Sequence, residues 1–225
     1  MGAIVNTAAT LPTFSVLTDY PIAADSLDHL HPLGTMQDNH TSPEFIADVQ
    51  RHFGSRLSLL DLGCAGGQLV RDVLALGFPA VGIEGSDWSE KHGRPHWPEL
   101  GGRNLFTADI TKHFTVIDPN VGRFARQFRI ITLWDVLEHI AEEDLPAVFE
   151  NVLRHLEWPV GLFIGTISTA PSPHDGVDLH VTRRNEAWWR NRLADAGFVP
   201  VEGVVSHWVR GDGAMPFCVG LQGAN

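Results

Sequence analysis

The groups best suited to chemistry in this chain stand at the ends of short apolar runs. Leu59-Leu60-Asp61-Leu62 leads into Gly63-Cys64-Ala65-Gly66-Gly67, and a helix-like pattern starts at Gln68. Glycines there let the backbone approach a ligand and adopt conformations that a Cβ forbids. The N–H groups that open the helix point at whatever binds. Glu84 closes a second apolar run, 21 positions after Gly63, where its carboxylate can accept both hydrogens of a ribose diol. Asp109 follows a third run, where an adenine amino group could donate to it. Each acid alone reads as readily as a surface carboxylate or a helix cap. Together, at three successive run ends, they describe a nucleoside site.

The sequence narrows the kind of nucleoside. The fingerprint G-x-G-x-x-G fails, because Ala65 and Gln68 stand where glycines belong. A Tyr-x-x-x-Lys pair is missing, since the single tyrosine is Tyr20, and so is G-x-x-x-x-G-K-[ST]. Both absences disfavour a nicotinamide oxidoreductase and a nucleotide triphosphatase. The chain also carries 12 histidines, any of which could serve as a base if tuned near neutrality. His139 ends Asp135-Val136-Leu137-Glu138-His139; His174 and His180 stand near Asp175 and Asp178; His29, His31 and His40 lie near the N-terminus. His139 and Glu138 read alternatively as residues that order the next helix. The loop histidines read alternatively as solvated, and their spacing matches no tight metal motif, so no metal is expected.

These groups need elements to hold them. Residues 1–20 read as a loose tail, and residues 21–40 as polar chain without a period. Ser42 and Pro43 open a helix whose apolar face is Phe45, Ile46, Val49 and Phe53, and Gly54 stops it. From residue 57 the pattern alternates. Strands are predicted at 57–62, 80–83, 104–107, 129–134, 160–167, 198–205 and 217–221. Helices are predicted at 68–76, 142–158 and 185–196, with only short or broken helix at 87–100 because of Gly93, Pro95 and Pro98. Residues 108–127 give no confident helix, and 168–183 read as a long loop. The alternation predicts an α/β fold with a mostly parallel sheet covered on both faces, whose ligand sits beyond the carboxyl ends of the strands.

Bulk composition sets further bounds. The 225 residues are 44% apolar and 19% charged, which suits one globular domain with a small extension. The formal charge of −11 argues against nucleic acid as a partner. Arg183, Arg184, Arg190 and Arg192, and Arg123, Arg126 and Arg129, read as solvated faces or as a local anion site. No apolar run approaches the length of a membrane helix, and the first residues make a poor signal peptide. Two cysteines, Cys64 and Cys218, suggest no disulfide framework and fit a reducing cytoplasm.

The stretches LLDLGCAGGQL, VGIEGSDWS, LFTADIT and IITLWDVLEHI resemble, in order, the motifs of class I S-adenosylmethionine-dependent methyltransferases. They are similar to the small-molecule branch that shares V-L-E-H with the ubiquinone-biosynthesis type, over about residues 57–205. The resemblance implies a Rossmann-like three-layer sandwich with a seven-stranded sheet, its last strand antiparallel. It implies S-adenosylmethionine as cofactor: Asp61, Gly63, Cys64, Ala65, Gly66 and Gly67 around the methionine part, Glu84 with Gly85 on the ribose, and Asp109 with Ala108 and Ile110 on the adenine. Trp134 and Asp135 would lie near the methionine amino end and the methyl. Ala65 departs from the family's glycine, so reduced backbone freedom is expected there. His139 and His180 are the implied catalytic candidates, on the acceptor side. Residues 1–55 would then be an extension able to cover the pocket, helped by Trp88, Trp97, Trp188 and Trp189, and residues 56–225 the cofactor-binding domain. The expected reaction is O-methylation of a sugar or other small hydroxylated acceptor; the alternative is a non-catalytic cofactor-binding module. Oligomeric state is left open.

Overall fold

In a computed structural model, residues 13–37, 41–122, 124–209, 213–221 and 223 are described. Three short elements come first: strand β1 (Ser15–Thr18) and helices α1 (Leu27–Leu30) and α2 (Leu33–Gln37). Residues 13–20 are therefore not loose. Phe14 is buried, and β1 pairs antiparallel with a strand far along the chain, Phe114–Ile117. Helix α3 (Pro43–Phe53) starts as its sequence predicts: Ser42 Oγ accepts from the Phe45 N–H, Pro43 takes the first turn, and Gly54 ends it at φ +58°. His40 and residues 1–12 lie outside the described residues.

The alternating region builds β2 (Leu59–Leu62), α4 (Gln68–Ala75), β3 (Ala80–Glu84), the short helices α5 (Trp88–Lys91) and α6 (Trp97–Leu100), and β4 (Leu105–Thr107). Next come β5 (Phe114–Ile117), β6 (Ile130–Trp134), α7 (Leu145–His155) and β7 (Leu162–Ser168). The chain closes with a two-residue-per-strand hairpin, β8 (Pro173–His174) and β9 (Val177–Asp178), then α8 (Glu186–Asp195), β10 (Phe198–Pro200) and β11 (Ala214–Leu221). Two predictions change in extent. The strand expected at 198–205 stops at Pro200, although the Val201 N–H still donates to Cys218 O at 2.9 Å. The one expected at 217–221 begins at Ala214, because it pairs with β7 from Ala214 opposite Ser168.

The main sheet has seven strands in the order β10-β11-β7-β6-β2-β3-β4, and only β11 runs against the rest. Residues alternate between two cores along each strand. Leu60, Leu62, Ile131 and Leu133 join the α7 and α8 side with Leu145, Val148 and Trp189. Leu59, Ile130 and Trp134 join the other side with Phe45 and Val49 of α3 and Leu69 and Val73 of α4. Three layers result. Chain order runs outward from β2 to β3 and β4 on one side and to β6 and β7 on the other, so the switch point lies between β2 and β6. A crevice opens there beyond the strand ends.

Candidate functional site

The loop after β2 is held tightly. The N–H groups of Gly63 and Cys64 both donate to Ile83 O, at 2.8 and 3.1 Å. Gly63 has φ +79°, and a Cβ on it would come within 2.5 Å of Val136. Gly67 has φ +83° and would meet Leu105 at 2.5 Å. Both glycines are demanded by conformation and by packing at once. Ala65 is left-handed too, at φ +46°, with a methyl that this region disfavours. Two partners hold it there: its N–H donates to Glu84 Oε2 at 2.7 Å, and its carbonyl accepts from Trp97 Nε1 at 2.9 Å.

A cavity of about 520 Å³ opens beyond these strand ends. Of the residues singled out by sequence, Asp61, Gly63, Cys64, Ala65, Glu84, Gly85, Asp109, Ile110, Trp134, Asp135 and His139 line it. Gly66, Gly67, Ala108 and His180 do not. Gly66 and Gly67 are buried behind the loop. Ala108 is fully buried and spends its N–H on Glu84 O at 3.0 Å. The opposite wall comes from the N-terminal extension, through Tyr20, Ala23, Asp28, Thr35 and their neighbours, residues that the sequence did not single out. That segment is tied down by backbone bonds from Ala23 N to Gly85 O (2.9 Å) and from Asp109 N to Tyr20 O (3.0 Å), and by Thr35 Oγ1 on Glu84 Oε1 at 3.5 Å. Its backbone-to-backbone ties to the strand ends carry no signature in residue type.

Asp61 and Glu84 are costly to ionise. Burial pushes Asp61 up to about 7, against a hydrogen bond donated by Thr132 Oγ1 at 2.6 Å, and the nearby Glu84 charge adds to the rise. Burial also raises Glu84, although the N–H groups of Ser86 and Ala65 oppose it. Asp109 caps its own turn, its Oδ1 accepting from the Thr111 N–H and hydroxyl. Cys64 is buried, and its thiol is raised well above the ordinary range by burial and by the Glu84 and Asp61 charges, so it is no nucleophile.

Asp135 and His139 on the cavity wall have Glu138 and His180 as neighbours. Asp135 has φ +51°, held by its N–H on Thr166 O (3.0 Å) and by Thr166 Oγ1 on its Oδ1 (2.6 Å). His139 Nδ1 sits 2.8 Å from Asp28 Oδ1, an ionic contact rather than a well-aligned hydrogen bond. Burial lowers the His139 pKa, but the Asp28, Glu138 and Asp135 charges outweigh it and leave it raised. His180 stands edge-on to His139 with ring centroids 4.6 Å apart, its Nδ1 on Ala170 O at 2.6 Å. The two catalytic candidates are thus neighbours, from segments far apart in sequence.

Other candidates go elsewhere. His31 and His174 meet edge-on at 5.8 Å, outside the cavity wall. Trp97 anchors Ala65, Trp189 is buried core, and Trp188 lies under Arg184 and Arg192, which pair with Glu142. Arg129 pairs with Glu157, and Arg123 lies outside the described residues.

Comparison with known proteins fits this geometry. A family model described as a methyltransferase domain matches residues 38–202. The chain is 29% identical over 113 residues to the ubiquinone biosynthesis O-methyltransferase of Caulobacter vibrioides, covering 50% of this chain and 41% of that protein. It is 25% identical over 151 residues to the same-named protein of Ruegeria pomeroyi, covering 64% and 57%. The chain thus spans less than two thirds of the length of these curated relatives. Two solved structures share the fold: DesVI of Streptomyces venezuelae (TM-score 0.57, 19% identity, 88% of this chain and 98% of that one) and the 1,6-didemethyltoxoflavin-N1-methyltransferase of Burkholderia thailandensis with S-adenosylhomocysteine bound (TM-score 0.57, 16% identity, 86% and 84%). With the loop after β2, the acids after β3 and β4 and the strand order in place, the chain belongs to the class I S-adenosylmethionine-dependent methyltransferases.

Proposed function

We propose that this methyltransferase acts on a hydroxyl oxygen of a small polar acceptor, a sugar or another hydroxylated metabolite. The observation that carries the reading is one cavity lined both by Asp61 and Glu84 and by Asp135 and His139. The residues fit the cofactor. Asp61 is a buried acid that gains from a cationic amino group beside it. Glu84 and Gly85 suit the ribose, and Asp109 with Ile110 the adenine. Gly66, Gly67 and Ala108 are buried outside the cavity lining, and their proposed part is to shape its wall.

Bound S-adenosylmethionine supplies an electrophilic methyl group. This chain's residues align the acceptor with it, exclude water and deal with the acceptor's proton. Asp135 and His139 line the cavity's acceptor end, and His180 backs His139. This group is where the hydroxyl loses its proton. Residues 20–37 act as a lid, since Asp28 and Thr35 reach across the cavity to His139 and Glu84. The curated relatives' name, O-methyltransferase, supports the oxygen preference. The negative net charge favours a small acceptor over nucleic acid.

Calorimetry with S-adenosylhomocysteine, followed by turnover of methyl-labelled cofactor over a panel of phenols, sugars and amines, tests this. Saturable binding and an O-methylated product are expected. Binding with no turnover would make the protein a non-catalytic cofactor-binding module, and an N-methylated product would overturn the oxygen assignment.

A further inference from the structure

Beside the cavity wall at His139 lies a polar cluster that protein groups leave incomplete. Glu138 is fully buried, and its Oε1 accepts from the Ser168 N–H at 2.7 Å. Its Oε2 is also buried and has no hydrogen-bond partner among the described residues. A buried polar atom without a partner costs stability, and a missing ligand accounts for one. One donor atom from each of Glu138, His139 and His180 lies within 4.8 Å of the others.

We infer that Glu138, His139 and His180 bind a divalent transition-metal ion. Both imidazoles are already arranged for it. His180 Nδ1 is engaged by Ala170 O, and His139 Nδ1 by Asp28 Oδ1. Nε2 is the nitrogen left to each ring for a metal; the Ala170 carbonyl fixes the His180 tautomer, and the Asp28 charge faces the other side of His139. The segment carrying His180 is pinned to the other two ligands. Thr182 N–H donates to Glu138 O at 2.9 Å, Thr182 Oγ1 to Ile140 O at 2.6 Å, and Asp178 Oδ1 accepts from the His180 N–H at 3.1 Å. Bonds of about 2.0–2.2 Å need the donors closer together than they stand, so the ligands draw in on binding. Two imidazoles and one carboxylate suit Zn²⁺, Mn²⁺ or Fe²⁺ and disfavour Mg²⁺, which prefers an oxygen shell. Three protein ligands leave positions open, and His139 puts the site on the cavity wall.

The ion's role rests on the proposed O-methylation. A cation there lowers the pKa of an acceptor hydroxyl, whose proton goes to water. The oxygen lone pair then forms the new C–O bond as the sulfur–methyl bond breaks, and the sulfonium leaves as a neutral thioether. The binding itself is independent of that role and is tested without an acceptor. The tag-free full chain, stripped with a chelator, is titrated with Zn²⁺, Mn²⁺ and Mg²⁺ by calorimetry, and Co²⁺ loading is followed by visible absorption. One Zn²⁺ or Mn²⁺ per chain is expected, at least tenfold tighter than Mg²⁺. Glu138→Gln and His180→Ala should each weaken it at least tenfold and abolish the Co²⁺ spectrum, while His207→Ala, which lies with Asp48 away from the cavity, changes nothing. S-adenosylhomocysteine binding in both ligand variants reports that they are folded. A wild-type chain that binds the cofactor but no stoichiometric transition metal overturns the metal site and leaves the methyltransfer reading standing. Metal affinity unchanged in folded His180→Ala overturns it equally. Metal binding without any O-methyl product sinks the role but not the site.

Discussion

Asp61 ties a single group's protonation to cofactor affinity. In the free protein its carboxyl loses its proton only near pH 7, because burial penalises the charge. An ammonium beside it favours the ionised form, so binding releases a proton below that pH. Affinity for S-adenosylmethionine should fall up to about tenfold per unit as pH drops below 7. It should also fall above about 8, where an α-amino group loses its own charge. Calorimetry at pH 6, 7.5 and 9 gives the profile, and a flat one would remove Asp61 from the methionine end. Thr132→Val deletes the hydrogen bond that holds the Asp61 pKa down, so the acid limb should move to higher pH. Ala65 makes a second point at this scale. Its left-handed backbone is disfavoured by a Cβ, so Ala65→Gly should stabilise the fold by up to about 1 kcal/mol in urea unfolding. A loss of stability would mean that the Glu84 and Trp97 contacts already suit the methyl.

Among the elements, the segment 20–37 is the one whose purpose depends on the rest. It is made of short pieces held at their ends by contacts to Gly85, Asp109, Glu84 and His139. Its own helices, of four and five residues, are too short to be stable alone. Asp28→Asn removes the charge facing His139, and amide exchange over residues 20–37 should speed up several-fold in the free protein. S-adenosylhomocysteine should slow exchange over the same residues in the wild type; no slowing would mean that they do not close over the ligand. The contrast with α3 explains what could be read in advance. Helix α3 announces itself through Ser42, Pro43 and an apolar stripe, and the β2 turn through its glycines, because local chemistry dictates both. The 168–183 loop hides a hairpin whose signal was present: Asp175-Gly176, both at positive φ, is the two-residue turn that matches strand twist. Strand β1 had no such signal, since four residues pair with a partner roughly 100 positions away. Asp28 facing His139, and His180 beside it, are equally products of tertiary folding.

At the scale of the whole molecule, several buried groups make the fold sensitive to acid. His155 joins α7 to β5: its Nδ1 bonds Asn151 O at 2.8 Å, its Nε2 accepts from the Val116 N–H at 3.0 Å, and its ring stacks on Phe114. A protonated Nε2 could not accept, and burial lowers the pKa to about 4. Asp48 acts in the same direction. Burial opposes its charge, but bonds from the Ser206 N–H and hydroxyl, Arg51 and His207 overcome that and hold its pKa below the ordinary range. The raised acids Asp61, Glu84 and Glu138 act oppositely, since their neutral forms suit burial and their cost grows as pH rises. Because the folded pKa of His155 lies below its unfolded value near 6.5, its contribution is fully present above pH 6.5 and is lost as pH falls toward 4. Over that window the unfolded chain gains up to one proton more than the folded one, worth up to about 1.4 kcal/mol per pH unit. His155→Gln keeps an acceptor without the titration. Its unfolding free energy between pH 4.5 and 6.5 should therefore slope less steeply than the wild type's, whatever its value at pH 7. Parallel slopes in the two proteins would mean that other groups, Asp48 foremost, account for the acid sensitivity.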